Sequence, residues 1–593
     1  MKRRFVSKLS CAVLALFMVF SVTACGTTVV QNGGGTGNET EISIINFGGG
    51  VGGKWLANAI ERFTELKKDV EYESGKKGVY IEYENNISVG TAAMATSGYN
   101  IYFDQIALPI QSYIQQGMFM DITDIVTEDL ETVDGQTVSI EDKIFEEERY
   151  GYRGPDGKYY CLPHFEFYDG ATYDVGIFNK YGFYFAAEDE SDYETFHSNI
   201  VEKDFKFVKG SGDKNVKVDG KKSCGNDGKY GTQDDGMPTT LEELVALCEY
   251  MKEEKGVTPF VVTGNHIDYS SYFMFGLWQS LAGYEQSSAK YKFSGTVDYV
   301  TGFDDNTPLF SGYPSIKAPK TATAEITEAT GYLARDQVGR YYAAAFLEIA
   351  NDRGWLDARS ANNSFIHTDA MRAFVMNGLT TANPEVGMIM EGSYWMNEAE
   401  DNNIFEDYKV FNNGSADKNM AWFNLPTSFD EPVTEGNGRE EVLTSGVKTY
   451  AFINANLVTR GTPGKIQACK DFLQFLYTDD ELKNFIKQSG TTKEGIKVDI
   501  NDDVLSYMNA GQKSFMEARA NNRTVLQSGN NQTFISNTAA LTYGIDSGFR
   551  PEFNGTRYSC YIRAYRAGQT AQSCFEKMQI SKENWISSYY KGN

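Results

Sequence analysis

Short β-branched runs alternate with helix-period apolar stripes along most of this chain. That alternation restricts the fold more than any other feature, because it demands sheets covered by helices. EISIINF (41–47) reads as a strand, and KWLANAIERFTEL (54–66) puts Trp55, Ala59, Ile60, Phe63 and Leu66 on one helical stripe. GVYIEYEN alternates Val79, Ile81 and Tyr83, NIYFDQI (100–106) is a further strand, and LPIQSYIQQG is helical up to Gly117. MPTTLEELVALCEYMKEEKG offers Pro238, a capping box from Thr240 to Glu243 and a terminating Gly256, with VTPFVVTG following as a strand. Helix-period segments recur near 335–352, 368–377, 463–476 and 479–489. The charged, Gly-rich stretch 186–236 reads as an insertion or long loop. Beyond about residue 495 the pattern turns almost wholly helical, as a cap packed on one lobe would. The class is α/β, with mass enough for two or more lobes.

The N-terminus carries a different signal. Lys2, Arg3, Arg4 and Lys8 precede an apolar run from Leu9 to Ala24 that is too short to span a bilayer comfortably, so residues 1–24 read as a signal peptide. Val22-Thr23-Ala24-Cys25 resembles the lipobox of bacterial lipoproteins, which implies that Cys25 becomes a lipidated N-terminus. The other reading is an ordinary secretory signal whose cysteine is accidental. Residues 25–40 form a flexible tether, and everything from Glu41 onward reads as soluble. Removing the four signal cations takes the net charge from −25 to −29, which argues against nucleic acid or an anionic membrane surface as partner. Six further cysteines, Cys161, Cys224, Cys248, Cys469, Cys560 and Cys574, show no metal-ligand spacing. Sequence proximity suggests pairing Cys224 with Cys248 and Cys560 with Cys574, and buried free thiols are the equal alternative.

Catalytic signatures are scarce. FGGGVGGKW fits the first part of a P-loop through Gly48, Gly53 and Lys54, but Trp55 stands where a hydroxyl must ligate Mg²⁺. What remains is a glycine turn onto a helix N-terminus with Lys54 and Trp55 on its rim, or simply a tight turn. No GxSxG or HExxH occurs, His164, His197, His266 and His367 are scattered, and GNDGKYGTQDDG (225–236) lacks the acid spacing of a calcium loop. Neither metal nor cofactor is expected. Loops at strand ends, by contrast, mix aromatics with hydrogen-bonding side chains: Tyr102 to Asp104, LPHFEFYDG (162–170), TGNHIDY (263–269) and EGSYWMNEA (391–399). Sugars present hydroxyl rims and apolar faces, and a site for them pairs Asp, Glu, Asn and His with Trp and Tyr. With 37 tyrosines and 38 phenylalanines, the chain has more rings than a core alone easily explains. Taken singly, Tyr394, Trp395 and His164 serve core packing equally well.

Read in order, ISIINFGGG, IYFDQIALPIQSYIQQGMFMDITD, YYCLPHFEFYDGATYDVGIFNKYGF, MPTTLEELVALCEYM, FVMNGLTTANPEVGMIMEGSYW, FNLPT and PGKIQACKDFLQFLYTDDELKNFIKQSG resemble successive blocks of one family. It is the extracellular solute-binding proteins of ABC transporters, in the carbohydrate-binding group typified by maltose-binding protein. The resemblance, over about 41–495, implies a two-lobe periplasmic-binding-protein-like fold with hinge crossovers and a helical C-terminal extension. It implies lobe one at 41–163 plus 447–495 and lobe two at 165–445 plus 496–593, with crossovers near Leu162–His164 and Ser445–Ala451. By matching loops it implies ligand contacts at Lys54, Trp55, Asp104, His164, Glu166, Tyr168, Asn265 and Tyr269, with Tyr394 or Trp395 as the stacking aromatic. It further implies a monomeric, non-enzymatic receptor, held outside the cell membrane by lipidated Cys25, that hands a carbohydrate, an oligosaccharide, to permease subunits. A surface glycoside hydrolase using paired carboxylates is the alternative, and an adhesion or scaffolding lipoprotein a third.

Overall fold

A computed structural model describes residues 35–85, 91–105, 110–133, 135–379, 385–412, 414, 417–445, 449–526 and 550–589. The signal segment, Cys25 and residues 446–448 of the second crossover lie outside them.

Two sheets organise the molecule. The first joins β1 (Thr40–Asn46), β2 (Val79–Asn85), β3 (Ile101–Gln105), β4 (Leu162–Pro163) and β9 (Thr449–Ile453) in the order β2-β1-β3-β9-β4. β1 lies parallel to both neighbours, with Ile42 opposite Ile81 and Ile44 opposite Ile101, whereas β9 runs antiparallel to β3 and β4. β3 and β9 are buried almost throughout, whereas β2 at the sheet edge alternates, with Val79, Ile81 and Tyr83 buried and Glu82 exposed. One cover of this sheet is α1 (Lys54–Lys67), which buries Trp55, Leu56, Ala59, Ile60 and Phe63. The strand begins at Thr40, which is fully buried, so the tether ends one residue earlier than its composition suggests.

The second sheet joins β5 (Thr172–Asp174), β6 (Thr258–Val261), β7 (Val386–Ile389) and β8 (Met420–Trp422) in the order β6-β7-β5-β8. Here β6 and β7 are parallel, and β5 is antiparallel to β7 and β8. α2 (Leu241–Glu249) starts at the capping box read from the sequence: Thr240 Oγ1 accepts from the Glu243 N–H at 3.0 Å, and Glu243 Oε2 accepts from the Thr240 N–H at 3.1 Å. α3 (Ser270–Lys292) breaks at Gly283, whose φ of 75° is open only to a residue without a Cβ. α3 and α4 (Val338–Asp352) pack together, and the last described helices dock on α4, where the Arg340 guanidinium donates to the Tyr561 hydroxyl at 3.0 Å.

Three sequence expectations need correction. The 186–236 stretch is not all loop, because Tyr193–Ser198 and Lys203–Val208 form an antiparallel hairpin. The region after 495 is not wholly helical: Arg523–Leu526 is a strand parallel to Val442–Ser445. All six described cysteines are buried and unpaired, so neither proposed disulfide forms. A hairpin for which the sequence reading assigned no element, Thr296–Phe310 with Tyr313–Glu325, extends from the second half of the chain.

Candidate functional site

The carboxyl ends of β1, β6 and β7 and the crossover 164–171 converge where one sheet gives way to the other, the position at which open α/β folds bind ligands. The crossover is pinned from both sides. His164 donates its N–H to the Thr449 carbonyl at 3.2 Å, Tyr168 donates to Ser393 Oγ at 3.1 Å, and Asp169 donates to the Thr444 carbonyl at 3.0 Å.

The glycine loop after β1 reaches across to α5 (Trp395–Asp401). Asn397 Nδ2 donates to the Gly50 carbonyl at 2.9 Å, and the Gly50 N–H in turn supports the Glu398 carboxylate. Gly50 has φ of +79°, and a Cβ there would stand 3.0 Å from the Tyr394 Cβ. Only glycine lets the two halves approach this closely. Lys54 pairs with Asp401 at 3.6 Å across the same contact, too exposed to contribute much.

Above this contact stands a wall of rings. Phe167 meets Tyr394 edge to face at 4.9 Å and Tyr272 at 6.5 Å; Tyr269 lies 5.6 Å from Tyr272, 6.4 Å from Tyr394, and stacked on His266 at 5.4 Å. Carboxylates sit among them. The Tyr394 hydroxyl donates to Glu391 Oε2 at 2.9 Å, while the buried Glu391 Oε1 has no partner. Burial and the neighbouring Glu398 push the Glu391 carboxyl well above the usual range, and desolvation lifts Glu398 to about 7. Asp169 is buried with neither oxygen bonded, and its carboxyl is also raised by burial, against the pull of Lys290. Burial raises carboxyls elsewhere in the chain as well, Glu441 to about 8 and Glu348 to about 7, so it is the company of the aromatic rings that makes this group a candidate site. The arrangement sets apolar ring faces beside carboxyl oxygens that are sealed from solvent in this structure.

Of the residues expected from the sequence, Tyr269 and Tyr394 stand in this wall. Asn265 is exposed at its edge, its amide 3.1 Å from His266 Nε2, and Lys54 lies at the interlobe rim. The others sit deeper. Trp395 is fully enclosed, its ring 5.6 Å from Phe374 and its Nε1–H donating to Thr172 Oγ1 at 3.1 Å. Trp55 packs on Phe103, His164 and Phe485 at 5.0–5.2 Å, and His164, fully buried, has neither ring nitrogen bonded. Burial and Lys493 keep the His164 imidazole well below its usual pKa, and hence neutral. Asp104 is buried within β3, opposite Tyr450. Glu166 and Tyr168 form a buried network with Arg519, the Tyr168 hydroxyl donating to Glu166 Oε2 at 2.9 Å. Phe167, Asp169, Tyr272 and Glu391 were not singled out. Three of them lie within the loops 162–170 and 391–399, whose mixed composition was the available signal.

Among the described residues no set of three or more His, Cys, Asp or Glu side chains could hold a metal ion, and no helix is long and apolar enough to cross a membrane. Loop 225–236 is closed by its own bonds, the Asp227 N–H to Asp234 Oδ2 at 3.0 Å and the Gly231 N–H to Asp235 Oδ2 at 2.7 Å.

The sequence matches no protein-family model and no curated protein. Among solved structures it is similar to a chitin oligosaccharide binding protein, 14% identical, over 93% of this chain and 100% of that one, with a TM-score of 0.52. It is also similar to the cyclic alpha-maltosyl-1,6-maltose binding protein from Arthrobacter globiformis, at 11% identity, 93% and 100% coverage and a TM-score of 0.46. A probable secreted solute-binding lipoprotein from Streptomyces coelicolor follows at 12% identity, 91% and 97% coverage and a TM-score of 0.47. The first likeness establishes the fold, the two-lobe α/β architecture of solute-binding proteins. The two weaker scores add nothing to it.

Proposed function

We propose that this chain is the solute-binding receptor of an ABC importer, capturing a carbohydrate, an oligosaccharide, between two lobes and delivering it unchanged to membrane permease subunits. The lobes are the units read from the sequence, 41–163 plus 447–495 and 165–445 plus 496–593, moving about the crossovers. Lipidation at Cys25 anchors the monomeric receptor outside the cell membrane beside its permease.

The observation that carries this reading is the wall of Phe167, Tyr269, Tyr272 and Tyr394 set against Glu391 and Asp169 at the strand ends of two sheets. Rings receive the apolar faces of pyranoses, and the free carboxyl oxygens accept from their hydroxyls. The name of the structure that shares the fold, a chitin oligosaccharide binding protein, agrees with it. Titration calorimetry against a panel of neutral and amino oligosaccharides tests the proposal, with the ligand recovered and chromatographed afterwards. Saturable binding with the ligand intact is expected. Ligand recovered in fragments would transfer the chain to the glycoside hydrolases, and no binding across the panel would overturn the reading.

A further inference from the structure

We propose that the 186–236 stretch carries a second ligand site, for a small molecule bearing an oxyanion, a carboxylate or a phosphate, held by the Lys222 ammonium. The site is separate from the ring wall, and the proposal does not depend on the receptor reading.

Its basis is a cavity of about 450 Å³ between residues 220–222 and 230–235, with Tyr173 of β5 at its floor and exposed Lys221, Tyr230 and Gly231 at its mouth. That volume lies within the range of small-molecule pockets. No residue of the ring wall lines it. Tyr173 turns to the opposite face of β5 from Thr172, the residue that accepts from Trp395.

Both lips are held by backbone bonds. The Ala187 N–H donates to the Lys221 carbonyl at 2.9 Å and the Ser223 N–H to the Phe185 carbonyl at 2.8 Å, so Lys222 is paired with Ala186 in an antiparallel bridge. The facing lip belongs to loop 225–236, which its own aspartates close.

The lining leaves one cation without a partner. Lys221 is engaged: its Nζ stands 2.8 Å from both oxygens of Asp189 and 4.2 Å from the centre of the Tyr230 ring. Lys222 is half-buried with its Nζ 3.2 Å from the centre of the Tyr184 ring, and among the described residues no carboxylate comes within ion-pair distance of it. Asp235 attracts it from further off and Lys217 repels it. Asp235 is held by its own loop, accepting from the Gly231 N–H at 2.7 Å and from the Thr232 backbone. Burial lowers Lys222 to about 8, so the ammonium keeps its proton at neutral pH. A guest oxyanion offers acceptors and charge to its three donors together, as a charge-assisted bond. A neutral guest offers acceptors alone. Because the chain as a whole carries −25, an anion gains nothing from the long-range field, and its binding has to come from this local contact.

The test titrates the purified chain calorimetrically with D-glucuronate, D-glucose 6-phosphate and D-glucose, which share a pyranose ring and differ in charge. At least one anion is expected to bind saturably with a Kd of about 1 mM or tighter, and glucose about tenfold or more weakly; which anion binds separates carboxylate from phosphate. Lys222→Met should weaken the anion about tenfold or more, whereas Lys222→Arg, which keeps the charge, should retain most of the affinity. Melting curves check that both variants fold, and Lys222→Gln replaces the methionine variant if that one does not. Binding of neither anion, glucose bound as tightly as the anions, or an affinity unchanged by loss of the Lys222 charge would each overturn the proposal. So would equal losses in the charge-removing and charge-keeping variants, which would trace the effect to packing on Tyr184. Each of these failures leaves the receptor reading untouched.

Discussion

Adjacent side chains take opposite fates at the start of α5. Tyr394 turns toward the cleft, 9% exposed and edge-on to Phe167, while Trp395 turns into the core, where Phe374 and Phe405 enclose it. Sequence alone left the two equivalent, because successive residues at a helix start differ by about 100° and nothing local fixes which direction faces the cleft. A pair of substitutions separates them. Tyr394→Ala should weaken saccharide binding by about 1–3 kcal/mol, and it should also lower stability, because the ring is packed on Phe167 and its hydroxyl is bonded to Glu391. Trp395→Ala should cost about 3–5 kcal/mol of stability through the cavity it leaves. Calorimetry and denaturant unfolding read the two effects, and a Tyr394→Ala chain that binds normally would take that ring out of the site. Histidines show the same limit: His164 occupies a loop that reads as ligand-binding, yet its ring is lodged among Trp55, Phe103 and Phe485.

Elements defined by near neighbours were legible, and those defined by distant partners were not. The capping box at Thr240 and the apolar stripe of α1 need only residues within a few positions, and both stand as read. The Arg523–Leu526 strand exists because Val442–Ser445 lies beside it, and no local pattern announces that pairing. Helix α6 (Ala510–Asn521) lies in the region read as helical, but no local pattern announces that its Arg519 forms an ion pair with Glu166 from 353 residues away and so clamps the crossover from the C-terminal region. Glu166 is wholly buried, and its carboxylate also accepts from Thr492 and Tyr168. Removing the guanidinium leaves that charge stranded, so Arg519→Ala should lower unfolding free energy by about 3–5 kcal/mol, and Glu166→Gln in the same chain should restore part of it. Urea unfolding of the single and double variants measures this; an unchanged midpoint in Arg519→Ala would mean that the C-terminal region does not secure the crossover.

At the scale of the whole molecule, two sheets meet through the crossover, and the glycine loop of one half lies on α5 of the other. That contact includes hydrogen bonds of Gly50 to Asn397 and Glu398, a bond from Asn397 to the Ser489 carbonyl, the exposed Lys54 pair and the ring of Tyr394, beside a buried apolar cluster that runs from Trp55 to Trp395. If the halves do part about the crossovers, a guest can shift that equilibrium only by its difference in affinity for the two arrangements. The order of blocks along the chain made the two-lobe fold readable through its resemblance to the solute-binding family, not through composition. The cleft lining was less readable, since it gathers single residues from loops far apart in sequence. Small-angle X-ray scattering of the chain in solution, with and without a saturating oligosaccharide chosen by calorimetry, bears most directly on capture between lobes. Closure over the ligand predicts a smaller radius of gyration in the bound state. An identical radius with the ligand demonstrably bound would contradict it.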